Sequence, residues 1–114
     1  MGLNRSFWKN KRVVLTGHSG FKGTWMSLLL SYLDSKVYGF SLEPNTNPSM
    51  FDILGSDHLE KSSFFDINNL KDCCDFVSEI NPDIIIHMAA QPLVGDSFIN
   101  PIYTFRTNII GTAN

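Results

Sequence analysis

The chain has 114 residues, 43% of them hydrophobic and 18% charged, with a formal net charge of −2 and a pI of about 5.8. That length supports one small domain with a real core, and the charge balance excludes an electrostatic footprint for nucleic acid or an anionic membrane. No apolar run is long enough to span a bilayer, and the only cysteines, the adjacent Cys73 and Cys74, point to a reducing compartment, so the expected location is the cytoplasm.

Arg12-Val13-Val14-Leu15-Thr16 reads as a first, fully buried strand. A helix is predicted from about Phe21 to Asp34, with Trp25, Leu28, Leu29, Tyr32 and Leu33 at helical spacing on the face toward a sheet. Lys36 to Ser41 reads as a second strand. A loop with Pro44, Asn45, Asn47 and Pro48 follows, with a short helical turn around Met50 to Leu54. Ser63-Phe64-Phe65 is a short third strand ending at Asp66. Asn69 or Asn68 caps a helix running to about Ile80, with a stripe of Leu70, Cys73 or Cys74, Phe76, Val77 and Ile80, and Pro82 stops it. Asp83 to Met88 is the fourth strand, apolar on both faces. A loop holding Pro92, Gly95 and Pro101 leads to a last helix that begins near Ile102.

Strands alternating with helices imply right-handed crossovers and a parallel sheet. The expected fold is therefore α/β: a Rossmann-like parallel sheet with helices on both faces and strand order 3-2-1-4. The sheet is expected to be incomplete, with the fourth strand as an exposed apolar edge.

Thr16-Gly17-His18-Ser19-Gly20-Phe21-Lys22-Gly23 lies between the first strand and the helix after it. Gly17 lets the backbone turn sharply out of the strand, Gly20 carries no side chain to block a phosphate, and Gly23 lets the helix pack close on the strand. Free amides at the helix start, with the positive end of its dipole behind them, suit a diphosphate. His18 either donates to that diphosphate or is a structural residue of the turn, and Lys22 either touches phosphate or is solvated. His87 reads as a satisfied core histidine, His58 as a loop residue, and the histidines show no metal-ligand spacing. Trp25 and the cysteines read as packing residues.

The spacing Gly17-x-x-Gly20-x-x-Gly23 resembles the short-chain dehydrogenase/reductase superfamily, and Gly20-Phe21-x-Gly23 resembles its extended branch, which acts on nucleotide sugars. Asp66-Ile67 matches the position where that branch binds adenine through a carboxylate and a backbone amide; helix capping is the structural alternative for Asp66. Ala89, Ala90 and Gln91 end the fourth strand where small residues let the nicotinamide half of the cofactor pass. Asn108, with Gly111 and Thr112, resembles an Asn-x-x-Gly-Thr helix whose asparagine supports the active site. Thr16 to Trp25, Gly39 to Pro44 and Ala89-Ala90-Gln91-Pro92-Leu93-Val94 together resemble the CDP-glucose 4,6-dehydratases, over roughly Phe7 to Asn114 and so over the amino-terminal part of a longer enzyme.

That resemblance implies NAD as cofactor, CDP-glucose as substrate and a homo-oligomeric parent. It implies hydride abstraction at the fourth sugar carbon, loss of water across the fifth and sixth, and hydride return to the sixth, giving a precursor of deoxysugars in surface polysaccharides. The cofactor contacts it implies are Gly17, His18, Ser19, Gly20, Phe21, Lys22, Gly23, Ser41, Asp66, Ile67, Ala89, Ala90 and Gln91. The acidic residue that usually ends the second strand is absent; Ser41 stands nearest, and Glu43 follows in the loop. Gly95 stands where the family commonly has arginine. Tyr32 and Lys36 have the spacing of the family's Tyr-x-x-x-Lys pair but straddle a helix end and a strand, so that pair is expected beyond Asn114 and the 114 residues alone are expected to be inactive. The alternatives are another extended short-chain nucleotide-sugar dehydratase or epimerase, or a noncatalytic nucleotide-binding module.

Overall fold

The computed structural model describes residues 2–114. Four parallel strands, β1 (Arg12–Thr16), β2 (Lys36–Ser41), β3 (Lys61–Phe64) and β4 (Ile84–His87), form one sheet in the order β3-β2-β1-β4. The expected fold class and strand order are thus both present. Register pairs Thr16 with Phe40 and with His87, and Ser41 with Phe64, so the carboxyl ends of all four strands open on one rim.

The sheet separates two cores according to the alternation of side chains along a strand. On one face Val13, Leu15, Leu30 and Val37 pack with Met26, Ile84 and Ile86 under α2 (Phe21–Tyr32). On the other face Val14, Phe40, Ile67, Cys73, Phe76 and Ile80 pack under α4 (Leu70–Ile80). Phe40 stacks on Phe65 at 4.3 Å between centroids. α3 (Met50–Leu54) occupies the expected turn, whereas the short α1 (Arg5–Trp8) was not expected from the sequence.

The buried stripe of α2 differs from the expected one. Gly23, Thr24, Ser27 and Leu30 face the sheet, while Trp25 is 56% and Tyr32 68% exposed. The cause is proximity: a Cβ on Gly23 would lie 1.9 Å from the Gly17 carbonyl oxygen, so the helix sits too close to the strand for large side chains near its start. Trp25 is therefore not a core residue.

Two boundaries also move. β3 begins and ends earlier than Ser63–Phe65, because Lys61 to Phe64 pair with Tyr38 to Ser41. Asn69 is the cap of α4, its side chain accepting from the Asp72 amide, and Asn81 in the left-handed region (φ 47°) ends that helix before Pro82 is reached. Leu70 stays exposed, leaving Cys73, Phe76 and Ile80 as the buried stripe.

β4 is the expected edge strand, with Ile85 52% exposed. The segment after it is more helical than a loop with two prolines and a glycine suggested. It forms α5 (Val94–Ile99), α6 (Pro101–Phe105), a π-helical turn (Arg106–Ile110) and α7 (Gly111–Ala113). Pro101 sits at the first position of α6, where its missing N–H costs nothing. This run docks on the α4 face, where a Cβ on Gly111 would meet Ile67 at 2.7 Å and Asn114 Nδ2 donates to the Ile67 carbonyl at 3.0 Å.

Candidate cofactor site

The turn after β1 is built by backbone. Gly17 has φ +74°, and a Cβ there would collide with the Met88 and Ala89 backbone at 2.8–2.9 Å, so only glycine fits. Its amide donates to the Phe40 carbonyl at 2.8 Å, and the Gly20 amide donates to Gly17 at 3.2 Å. Gly20 is the N-cap of α2 with no side-chain cap. A Cβ at Gly20 would meet only the Gly17 carbonyl, at 3.4 Å, so its outer side is open. The amides of Ser19, Phe21 and Lys22 have no acceptor among the described residues. A helix start with free donors and a bare glycine is a site for a phosphate anion. Lys22 is exposed at its edge and makes no ion pair among the described residues. Phe21, first residue of α2, is 69% exposed.

The His18 side chain is not available to a diphosphate. It points beneath the turn and is fully buried, with Nε2 2.7 Å from Ser62 Oγ and Nδ1 3.1 Å from Ser41 Oγ. Phe51 meets its ring edge-on and Phe64 stacks on it. Burial pushes its pKa down to about 4, against a smaller opposing effect of the Phe40 carbonyl, so the ring is neutral at pH 7. Ser41 is drawn into the same network, its hydroxyl 2.7 Å from Ser19 Oγ and 2.9 Å from the Leu42 carbonyl. Ser19 Oγ donates to that same carbonyl at 2.7 Å. The Ser41 hydroxyl thus faces inward rather than toward a ribose, and Glu43 is the exposed carboxylate beyond β2.

Gly39 is a residue that sequence reasoning missed. A Cβ on it would lie 2.4 Å from His18 Cγ, so β2 has a glycine in mid-strand to make room for the imidazole. The signal was present, since a glycine inside a strand marks a close approach. What it approaches lies 21 residues away in the chain.

Along the rim, Asp66 Oδ1 accepts from both the amide and the side-chain nitrogen of Asn68, each at 2.9 Å, and its other oxygen has no partner among the described residues. Asp66 therefore shapes the turn before α4, while the cap itself is Asn69. Ile67 is buried, and its carbonyl is taken by Asn114. Past β4, Thr16 Oγ1 accepts from the Met88 and Ala89 amides at 3.0 Å each. Ala90 is exposed. Asn108, on the π-helical turn, clamps the Gln91 backbone: its Oδ1 accepts from the Gln91 amide at 2.8 Å and its Nδ2 donates to the Gln91 carbonyl at 3.1 Å. The Gln91 side chain is itself occupied by Thr104 Oγ1 and by the backbone of Leu93.

His87 is not a core histidine. It sits on the exposed side of β4 and joins Thr16 Oγ1 at 2.8 Å to Thr112 Oγ1 at 3.0 Å, tying the sheet to the last helix. His58 Nε2 lies 2.8 Å from Ser27 Oγ, but that hydroxyl is buried and donates to the Thr24 carbonyl, so the pair is packing rather than a nucleophile and base. Cys73 is buried and Cys74 exposed, both free thiols; burial raises the Cys73 pKa. Among the described residues no cluster of acidic, histidine or cysteine groups could hold a metal, and no helix is long and apolar enough to cross a membrane.

The rim therefore brings together a helix start with open amides, a half-used carboxylate at Asp66 and a braced small-residue loop at Ala89 to Gln91. Known proteins are similar to this chain in sequence and fold. CDP-glucose 4,6-dehydratase of Salmonella typhimurium is 42% identical over 112 residues, covering 98% of this chain and 31% of that enzyme. UDP-glucose 4-epimerase of Mycoplasma genitalium is 27% identical over 103 residues, covering 90% of this chain and 30% of the enzyme. The crystal structure of UDP-glucose-4-epimerase from Stenotrophomonas maltophila with bound NAD and formylated UDP-arabinopyranose superposes with a TM-score of 0.75 at 23% identity, over 91% of this chain and 32% of that one, and shares the fold. The chain spans about a third of the length of the curated relatives it matches. The model of the family described as GDP-mannose 4,6 dehydratase matches residues 14–114, from the first buried strand through the helix that carries Asn108, and the chain belongs to that family of nucleotide-sugar dehydratases and epimerases.

Proposed function

We propose that this chain forms the NAD-binding part of a nucleotide-sugar 4,6-dehydratase acting on CDP-glucose in the cytoplasm, as part of a homo-oligomer. The observation that carries the reading is the open row of amides at Ser19, Phe21 and Lys22 beside the bare face of Gly20, a cradle that fits the diphosphate of a dinucleotide. NAD, when bound, supplies the acceptor for hydride from the fourth sugar carbon and the donor that returns it to the sixth after water is lost. Thr16, Asn108 and Gln91 hold the loop at the nicotinamide end rigid. Asp66 offers a free oxygen at the adenine end, and the exposed Glu43 carboxylate after β2 takes the ribose contact in this reading, since the Ser41 hydroxyl is already engaged.

Preference for CDP-glucose rests on the 42% identity with the Salmonella enzyme. No residue described here is placed to take the sugar hydroxyl's proton. Tyr32 and Lys36 lie at the far end of α2 and the start of β2, opposite the rim. Turnover by these 114 residues alone is accordingly not expected.

Titration of the purified protein with NAD tests the reading: saturable binding is expected, abolished by Gly20→Val, which fills the phosphate approach. No saturable binding would overturn it. In the longer parent enzyme, parallel assays with CDP-glucose, dTDP-glucose and GDP-mannose, following the 4-keto product, separate the CDP-glucose reading from a sibling dehydratase or epimerase. Formation of 4-keto sugar by the 114 residues alone would overturn the assignment of proton transfer to residues elsewhere.

A further inference from the structure

Asn68 stands between two regions that sequence analysis treated separately. Its side-chain nitrogen donates to Asp66 Oδ1 at 2.9 Å and to Thr107 Oγ1 at 3.2 Å. Turning the amide over would set its oxygen against the Asp66 carboxylate, so the NH2 group must face both partners. In that orientation Asn68 Oδ1 is buried with no hydrogen-bond partner, an unfavourable state that the geometry nevertheless adopts. Helix capping does not require it, because Asn69 caps α4. Thr107 is buried in the π-helical turn, a local widening that recurs at functional sites. The next residue, Asn108, clamps Gln91.

We infer that Thr107, acting through Asn68, is a positioning residue that aims the free oxygen of Asp66 at the adenine half of the dinucleotide. This rests on the reading of Asp66 as an adenine contact. The two hydrogen bonds from Asn68 fix Oδ1 of that carboxylate, which leaves Oδ2 with one direction. A single π-helical turn then holds both ends of the cleft, the adenine turn through Thr107 and the nicotinamide loop through Asn108.

The test is titration of the protein with adenosine monophosphate and, separately, nicotinamide mononucleotide, followed by amide NMR shifts, with thermal unfolding as a check on folding. Thr107→Val is expected to weaken the adenine nucleotide by about fivefold, the worth of one hydrogen bond, and to leave the nicotinamide nucleotide unchanged. Thr107→Ser is expected to restore binding. Asn68→Ala combined with Thr107→Val is expected to be no weaker than Asn68→Ala alone. If Asp66→Asn abolishes adenine binding while Thr107→Val leaves it unchanged, the inference fails and the Asp66 reading stands. If Asp66→Asn has no effect, both fail. An equal loss for both nucleotides, or a lower unfolding temperature with unchanged affinity, would reduce Thr107 to a structural residue and overturn the inference.

Discussion

The two flanks of β1 are built on opposite plans. Toward β2, the polar residues Thr24, Ser27, His18, Ser19 and Ser41 are buried, with Gly39 against the His18 ring and Gly23 against the Gly17 carbonyl. Toward β4, large apolar residues are exposed, with Phe98 at 82% and Ile102 at 76%. Hydropathy would have placed them the other way round. The difference teaches that burial follows backbone distance before side-chain polarity. Where α2 is drawn to within one carbonyl of β1, only small side chains fit, and each polar one finds a hydrogen bond. Along α5 and α6 the apolar side chains Val94, Phe98, Ile99, Ile102 and Phe105 are exposed, and no described element packs over most of them.

Gly23→Ala should break the tight flank most severely. Its new methyl would fall on the Gly17 carbonyl at 1.9 Å, and backbone cannot yield as a side chain can. A loss of about 3 kcal/mol or more, measured by urea unfolding, is expected with NAD binding abolished. Unchanged stability would show that α2 can lift from the strand, and the comparison would collapse.

Gly39→Ala should cost less, about 1–3 kcal/mol, because its methyl meets the His18 ring rather than backbone. His18→Ala in the same chain should recover much of that loss. The measurement is a double-mutant cycle, and strict additivity would mean that the two positions do not touch.

The buried His18 also predicts an acid sensitivity of the tight flank. Burial holds its folded pKa at about 4, against the ordinary histidine value of 6.5. Below 6.5 the unfolded chain takes up a proton that the folded chain refuses, so stability rises with pH across this window. His18 should contribute a slope of roughly 1.4 kcal/mol per pH unit between the two values, with its stabilising contribution fully present above 6.5. Urea midpoints for the protein and for His18→Asn, taken from pH 7 to pH 4, check this. Parallel curves would assign the acid sensitivity to other groups.

The smallest effect belongs to the open flank. Phe98→Ser should change stability by no more than about 0.5 kcal/mol, as for surface substitutions generally, and should lower the tendency to associate. A large destabilisation would mean that Phe98 is buried in solution and that the contrast between the flanks is false.

Much of the architecture was legible in the residues. Apolar runs at 13–15 and 84–86, turn signals between them and the capping asparagine at 69 fix four strands, their alternation with helices and hence a parallel sheet with its ligand rim. The glycine spacing identifies the turn, because conformational demands at Gly17 and Gly23 are local and chemical. Asp66 and the Ala89 to Gln91 loop were singled out by resemblance to a family, and their cofactor roles belong to the proposed function.

Orientation and partnership were not legible, because they depend on distances between segments far apart in sequence. His18 reads either as a phosphate donor or as a structural residue of the turn until Ser41, Ser62 and Phe64 close over it. Ser41 reads as a ribose contact until its hydroxyl meets Ser19 and His18. His87 reads as core until β4 proves to be an edge. The sequence by itself determined which segments become strands and helices, because that choice rests on spacing and backbone conformation within a few residues. Only the tertiary structure decided which side of each strand end faces a ligand and which faces a neighbour, because that choice rests on packing between residues that chain order does not bring together.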